Sequence, residues 1–519
     1  MLLAEVARTS AGIARAPARS AKLAALADLF AAAPDAELPL VVSWLAGRLP
    51  QGRPGIGWRA LSVQTPPAAG PALTVREVDA AVTAWAEAAG PGVRARRAGI
   101  LAELLGAATE EEQRFLRALL SGEVRQGALD ALALEALARS ADAPVAAVRR
   151  AVMLAGSLPE VAGALRAEGP AILDGYVLTA GRPVRPMLAG SARTVAEAAD
   201  GLGPCALEEK LDGIRVQAHR SGETVRIWSR ALEELTGRLP EVVEAVRGLD
   251  CASCVLDGEV IAVGPDGHPV SFQRVASRVG TRSDPDAARA ALPLTPFFFD
   301  LLALDGRPLA DAPTVVRHAA LARLVPAEHL VRRHVLLDPR DPAALRAAED
   351  FRDETLARGH EGVVLKALDA PYEAGRRGAR WIKVKPVHTL DLVVLAAEWG
   401  HGRRTGTLSN LHLGARGADG GFVMLGKTFK GLTDAMLREQ TLRLGELALS
   451  DDGFTVRVRP EFVVEIAYDG LQRSPRYPAG VALRFARVLR HRPDKNAAEA
   501  DTVETVLARD PRVTEEPTP

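Results

Sequence analysis

The hydrophobic period of this chain changes once, and that change limits the folds open to it. Residues 1–178 are rich in Ala and Leu and keep the spacing of amphipathic helices, broken only at short stretches near Pro34, Pro39, Pro54, Pro91 and Pro144. Residues 179–187 carry two prolines and end that pattern. Beyond them the apolar residues fall into short β-type runs at 224–229, 255–263, 296–304, 362–366 and 381–385, with helical pieces at 287–292 and 342–357. Short strands joined by Gly and Asp turns favour a mainly antiparallel α+β domain.

The pattern turns again near 386–389. Five strand-like runs at 391–397, 408–413, 422–425, 455–458 and 462–467, with one helix at 434–444, predict a small β-barrel of the OB kind. The expected fold class is therefore multidomain: all-α over 1–178, antiparallel α+β over 183–388, and a β-barrel over 390–500. Residues 501–519 form a polar, Pro-bearing tail. A chain of 519 residues suits about three domains. No repeats are visible.

Composition excludes several functions. No segment reaches about 18 uninterrupted apolar residues, so neither a membrane span nor secretion is expected. Three cysteines cannot build a disulfide framework, and a reducing cytoplasm is the expected setting. Cys251 and Cys254 have redox or zinc spacing, but no second Cys/His pair stands near, and two small residues leading into a strand explain them as well. A formal net charge of zero rules out a simple polybasic tail, so a nucleic-acid partner would need clustered basic residues.

Lysine usage is the sharpest chemical signal. Only eight of the 65 basic residues are Lys: Lys22, Lys210, Lys366, Lys383, Lys385, Lys427, Lys430 and Lys495. Arg stays protonated, whereas a Lys amine can lose its proton and attack an electrophile. Lys210, in Lys210-Leu-Asp-Gly-Ile-Arg215, is thus a candidate nucleophile, or else a surface lysine beside an Asp-Gly hairpin turn. Arg230 follows the run at 224–229, Glu259 and Glu361 stand at strand-turn boundaries, and Phe299 sits beside Asp300. Lys383 and Lys385 share one strand face, since the period is two. In the helical part, 114–127 followed by 128–139 reads as helix, turn, helix. Arg125 and the turn amides would suit a phosphate, and the same turn is equally read as an ordinary connection.

Taken in order, these segments resemble the ATP-dependent DNA ligases with a helical DNA-binding domain, a nucleotidyltransferase (adenylation) domain and an OB domain. Lys210-Leu-Asp-Gly-Ile-Arg215 matches the family's adenylated-lysine motif, and 483–495 is similar to its last motif, with Ala486 where proline is usual. The resemblance implies that Lys210 attacks the α-phosphorus of ATP, that AMP then passes to the 5′-phosphate of a nick, and that a 3′-hydroxyl displaces AMP. It implies that Lys383, Lys385 and Mg2+ keep Lys210 neutral and stabilise phosphate charge. By the same matching Glu208 meets the adenine amino group, Phe299 stacks on the ring, and Arg215 and Arg230 reach ribose and phosphates. Glu259, Glu361 and Asp212 are the implied Mg2+ ligands, Glu259 and Glu361 alternatively contacting ribose. Lys366 supports a phosphate or a neighbouring carboxylate. Arg492, Asp494 and Lys495 belong to the part of the OB domain that swings over ATP, hinged at 386–389.

The implied partner is nicked double-stranded DNA, met by a monomer, with replication or repair proteins as further partners. An RNA ligase or capping guanylyltransferase shares the nucleophile motif, but the long helical domain and the Arg492-Pro-Asp-Lys495 ending favour the DNA ligase. An NAD-dependent ligase would carry a four-cysteine zinc site, and no cysteine follows Cys254. A non-catalytic clamp would show damage among Lys210, the carboxylates or the paired lysines, and none is damaged.

Overall fold

The computed structural model describes residues 1–52, 55–124, 129–281, 284–375 and 377–509. Helices fill the first part, from Leu3–Arg15 to Leu158–Glu168, and pack around one core that includes Phe30, Trp44, Leu116, Leu137 and Val161. Thr74 and Thr109 start two of them with capping boxes, each hydroxyl accepting from the amide three residues on. Glu110–Ser121 ends at Gly122, whose φ of +73° only glycine adopts easily. Arg125 lies outside the described residues. Among the described residues no helix is long and apolar enough to cross a membrane.

The second part is built from two sheets where the sequence pattern suggested one antiparallel domain. The first has the order Leu188–Ala192, Arg377–Val384, Val363–Ala367, Cys205–Glu209, Arg333–Leu336. Its first pair is parallel and the others antiparallel. The second runs Thr224–Ser229, Ile214–Ser221, Ser253–Ile261, Thr295–Leu304, Arg307–Pro308, antiparallel throughout. The chain passes from one sheet to the other at 210–213. Gly213 permits that crossing, because a Cβ there would collide with the Val260 carbonyl and sit 2.6 Å from Ile261 Cγ2.

The C-terminal part is β-rich. Phe422–Thr428, Leu408–Arg416 and the long strand His388–Trp399 lie side by side; Thr455–Val458 and Val463–Tyr468 both pair with His388–Trp399, and Ala448–Asp451 and Arg487–His491 complete seven strands. Helix Asp434–Glu446 packs on the core through Leu437 and Leu444. The pairings among the described residues do not include the closed ring expected of a barrel. The hairpin of Gly470–Arg473 and Val481–Arg484 leans toward the second part, where Arg484 meets Asp212 at 2.6 Å and Gln273 exchanges two hydrogen bonds with the Arg473 backbone.

The connection between the helices and the sheets is tied down by two buried polar side chains. Gln217 bonds both the amide and the carbonyl of Val184, at 2.8 and 3.1 Å. His219 Nδ1 accepts from the Gly181 amide at 2.9 Å, so Nε2 carries the proton and donates to Gln217 Oε1. Burial lowers the His219 pKa to about 3, against about 6.5 in an unfolded chain. As pH falls, the unfolded state takes up this proton first, so the stability present above pH 6.5 is lost progressively down to about pH 3. Chemical denaturation at pH 7, 6 and 5 is expected to show stability falling by about 1 kcal/mol per pH unit below pH 6 from this group. His219→Gln, which keeps an acceptor but cannot titrate, should remove that share of the slope.

Candidate active site

A cavity of about 460 Å3 opens where the chain crosses between the two sheets, and Lys210 lines it. The Lys210 amide donates to the Gly362 carbonyl at 2.8 Å, and the Glu361 amide donates to the Lys210 carbonyl at 3.0 Å. This reciprocal pair brings two segments about 150 residues apart into register, and Lys210 Nζ reaches Glu361 Oε2 at 2.5 Å. Lys385 Nζ approaches the same oxygen at 3.3 Å and Asp469 at 2.9 Å. Burial raises the Glu361 pKa, but Lys210 and Lys385 outweigh it and hold the carboxyl below its ordinary value. Lys383 lines the cavity, whereas Lys385 lines a second one of about 440 Å3 beside the C-terminal part.

One end of the cavity suits a flat base. Phe299 presents its ring there and meets Trp381 edge to face, with centroids 6.2 Å apart. Glu208, at the end of strand Cys205–Glu209, is 3% exposed. Its Oε2 holds Lys366 Nζ at 2.5 Å, while Oε1 has no hydrogen-bond partner. Lys366 also donates to the Phe299 carbonyl and lies 4.2 Å from the Trp381 ring centroid. Burial lowers its pKa, with Glu208 and Asp300 opposing. The structure thus gives Lys366 to a carboxylate, one of the two alternatives open in the sequence.

The rest of the cavity carries charge. Arg215 forks onto Asp257 at 2.6 and 3.0 Å beneath the Phe299 and Trp381 rings, and Tyr372 Oη donates to the same carboxylate. Arg230 is exposed at the lining and pairs with no described residue. Glu259 lies opposite Arg215 in register and forms no ion pair with a described residue. Burial raises its pKa to about 7, Lys210 and Arg215 pulling it down only in part, so it is fully ionised only above that pH.

Among the described residues no three His, Cys, Asp or Glu side chains form a ready metal cluster. Mg2+ commonly takes one or two carboxylates and completes its shell with water and phosphate oxygens, so Glu259 at the cavity wall, free of an ion pair with a described residue, fits it as one such carboxylate. Asp212 is instead held by Arg484 at 2.6 and 3.2 Å. Arg492 and Lys495 are not brought to the cavity. Arg492 binds Asp391 and Asp494, and Lys495 binds Asp391 at 2.7 Å, all within the C-terminal part.

Sequence reasoning missed Asp257, Tyr372, Arg333 and Asp469. Asp257 was within reach, because the period of two puts it on the same strand face as Glu259. Tyr372 comes from 115 residues away with no local pattern to mark it.

Three family models match this chain: a DNA ligase N terminus over residues 56–138, an ATP dependent DNA ligase domain over 186–385 and an ATP dependent DNA ligase C terminal region over 404–495. The probable DNA ligase of Streptomyces avermitilis is 63% identical over 514 residues, spanning 99% of this chain and 100% of its own. That of Streptomyces griseus subsp. griseus is 64% identical over 509 residues, spanning 98% and 100%. The solved structure named "Pmar-Lig_Pre." shares the fold, with a TM-score of 0.65 at 18% identity over 94% of this chain and 99% of that one. The chain therefore belongs to the ATP-dependent DNA ligase family of covalent nucleotidyltransferases.

Proposed function

We propose that this chain seals nicks in duplex DNA through an adenylated Lys210. The observation that carries the reading is the placement of the Lys210 amine against Glu361 and at the wall of a cavity that Phe299 and Glu208 also line. With adenine against Phe299, the Lys210 Nζ lone pair attacks the α-phosphorus of ATP. The bond from that phosphorus to the bridging oxygen breaks, and pyrophosphate leaves. Glu361 Oε2, in contact with Nζ, is the base placed to take the ammonium proton and free that lone pair; the second proton leaves the amine as the P–N bond forms and goes to the departing pyrophosphate or to water.

In the second step a 5′-phosphate oxygen of the nick attacks the same phosphorus, the P–N bond breaks, and Lys210 regains a proton. In the third the 3′-hydroxyl attacks the 5′-phosphate, forming the phosphodiester and releasing AMP. Lys383 at the cavity wall and Arg230 at its edge stabilise charge on the phosphates, and Arg215, braced by Asp257, stands next to the ribose. Lys385 acts through its hold on Glu361. Mg2+, when bound, supplies neutralisation of phosphate charge, and Glu259 and Glu361 would hold it, joined by Asp212 once Arg484 lets go.

Nicked double-stranded DNA is the proposed partner, bound by a monomer, with Arg125 a candidate contact. The cytoplasm is the proposed compartment, where the three free thiols Cys205, Cys251 and Cys254 stay reduced. The proposed domains are 1–178 for DNA binding, 183–388 for adenylation and 390–500 for closure over ATP, followed by the 501–519 tail.

Incubation with Mg2+ and ATP labelled at the α-phosphate should leave acid-labile label on the chain. Lys210→Ala and Lys210→Arg should both abolish it, the latter because a guanidinium keeps its proton. Label appearing on another side chain, or none at all on the wild-type chain, would overturn the reading. If the C-terminal part swings so that Arg492 and Lys495 reach the pyrophosphate, Arg492→Ala and Lys495→Ala should slow adenylation by roughly 100-fold while a pre-adenylated nick is sealed near the normal rate. Equal loss in both assays would show that these residues serve only the fold.

A further inference from the structure

Arg333 opens the strand Arg333–Leu336 and pairs in register with Glu208, yet it is not among the residues that line the cavity. Its side chain is 9% exposed, and neither Nε nor Nη1 has a hydrogen-bond partner. Nη1 stands 3.7 Å from Glu208 Oε1, which is also without a partner. Such unpaired atoms are uncommon in protein interiors, and here two of opposite sign face each other without closing. Lys366 already occupies the other oxygen of Glu208.

Lys366 and Arg333 flank the Glu208 carboxylate from two sides, and they leave the lone pairs of Oε1 unused. Burial lowers the Arg333 pKa from its ordinary value, with Glu208 and Asp300 raising it only in part, so the guanidinium itself lacks a full counter-charge. An ionised carboxylate is a pure acceptor, whereas a protonated one also offers a donor. The difference matters for a purine: a 6-amino group donates and a 6-oxo group accepts.

We propose that Arg333 is a positioning residue that, together with Lys366, holds the Glu208 carboxylate with one oxygen left as an unpaired acceptor, and so makes the cavity select 6-amino over 6-oxo purine nucleotides. The inference rests on the proposed function for the place of the base against Glu208. A 6-oxo purine would set two acceptors face to face in a buried site and leave both unpaired. Without Arg333, Glu208 can turn both oxygens to Lys366, and that change lets an oxo group in.

The test compares ATP with its 6-oxo analogue, inosine triphosphate, as donors for labelling the full chain. Arg333→Met is expected to raise KM for ATP about 10-fold with kcat near normal, and to narrow the preference for ATP by about 10-fold. Arg333→Lys should restore most of both. The preference is a ratio within one preparation, so partial misfolding lowers both rates without moving it. A ratio unchanged in Arg333→Met would overturn the inference. Calorimetry with AMP and inosine monophosphate measures the same discrimination without chemistry. A chain that favours AMP through Arg333 but never takes label would keep this inference and lose the ligase reading. A wild-type chain that binds the two monophosphates alike would overturn it.

Discussion

Two backbone hydrogen bonds, between Lys210 and the 361–362 turn, set the position of everything in the cavity. They continue the antiparallel ladder between Cys205–Glu209 and Val363–Ala367 past its last strand residue, at the point where the chain leaves one sheet for the other. Register on this ladder decides which carboxylate faces which side. Glu208 turns to Lys366 and the cavity, while Glu209, one residue on, turns to Arg332 and Arg358. A slip of one residue would exchange the two and leave Lys210 without Glu361. Gly362 allows the turn to lie this close: its φ is +135°, and a Cβ there would run into the Val384 carbonyl.

Buried charge surrounds this ladder and serves placement more than stability. Arg317 is fully buried, forks onto Asp300, and donates to the carbonyls of Ala312 and Ala370. Arg215 with Asp257 and Tyr372 forms a second such cluster, and Lys366 with Glu208 a third. Well-packed apolar groups could replace such pairs at little loss or even a gain of stability, whereas removing one partner strands a buried charge. Their geometric effect is plain: Asp300 and Asp257 flank the strand positions that present Phe299 and Glu259. Within the third cluster, Arg333 Nη1 and Glu208 Oε1 stand 3.7 Å apart without closing a hydrogen bond.

Much of this was legible in the sequence, for a physical reason. Lys210 and Glu361 sit where strands give way to turns holding Gly213 and Gly362, and turn chemistry is local. These two, with Glu259, Phe299 and Lys383, read as one candidate site from their order along the chain, and the fold brings them together at Lys210. The division of the second part into two sheets was not legible, since Leu188–Ala192 and Arg333–Leu336 are too short to show a period and join their sheet through partners far along the chain. Additional C-terminal strands were missed for the same reason. Ala486, where the family resemblance led to an expectation of proline, is fixed in another way: it is buried, and Thr428 Oγ1 donates to its carbonyl at 2.5 Å.

Arg492 and Lys495 show where sequence matching meets its limit. A motif reports that residues act together at some stage, not that they touch in every arrangement of the domains. In this arrangement the C-terminal part turns Arg484 and Asp469 toward the adenylation part, and satisfies Arg492 and Lys495 with its own Asp391. Among the described residues the contacts that hold it there include ion pairs, hydrogen bonds and the Arg484 guanidinium over the Phe272 ring. Arg484 with Asp212 and Lys385 with Asp469 are partly exposed pairs, each worth on the order of 1 kcal/mol, and Gln273 adds two hydrogen bonds to the Arg473 backbone. The same pairs therefore make the arrangement definite, and the swing of the C-terminal part proposed above would have to break them.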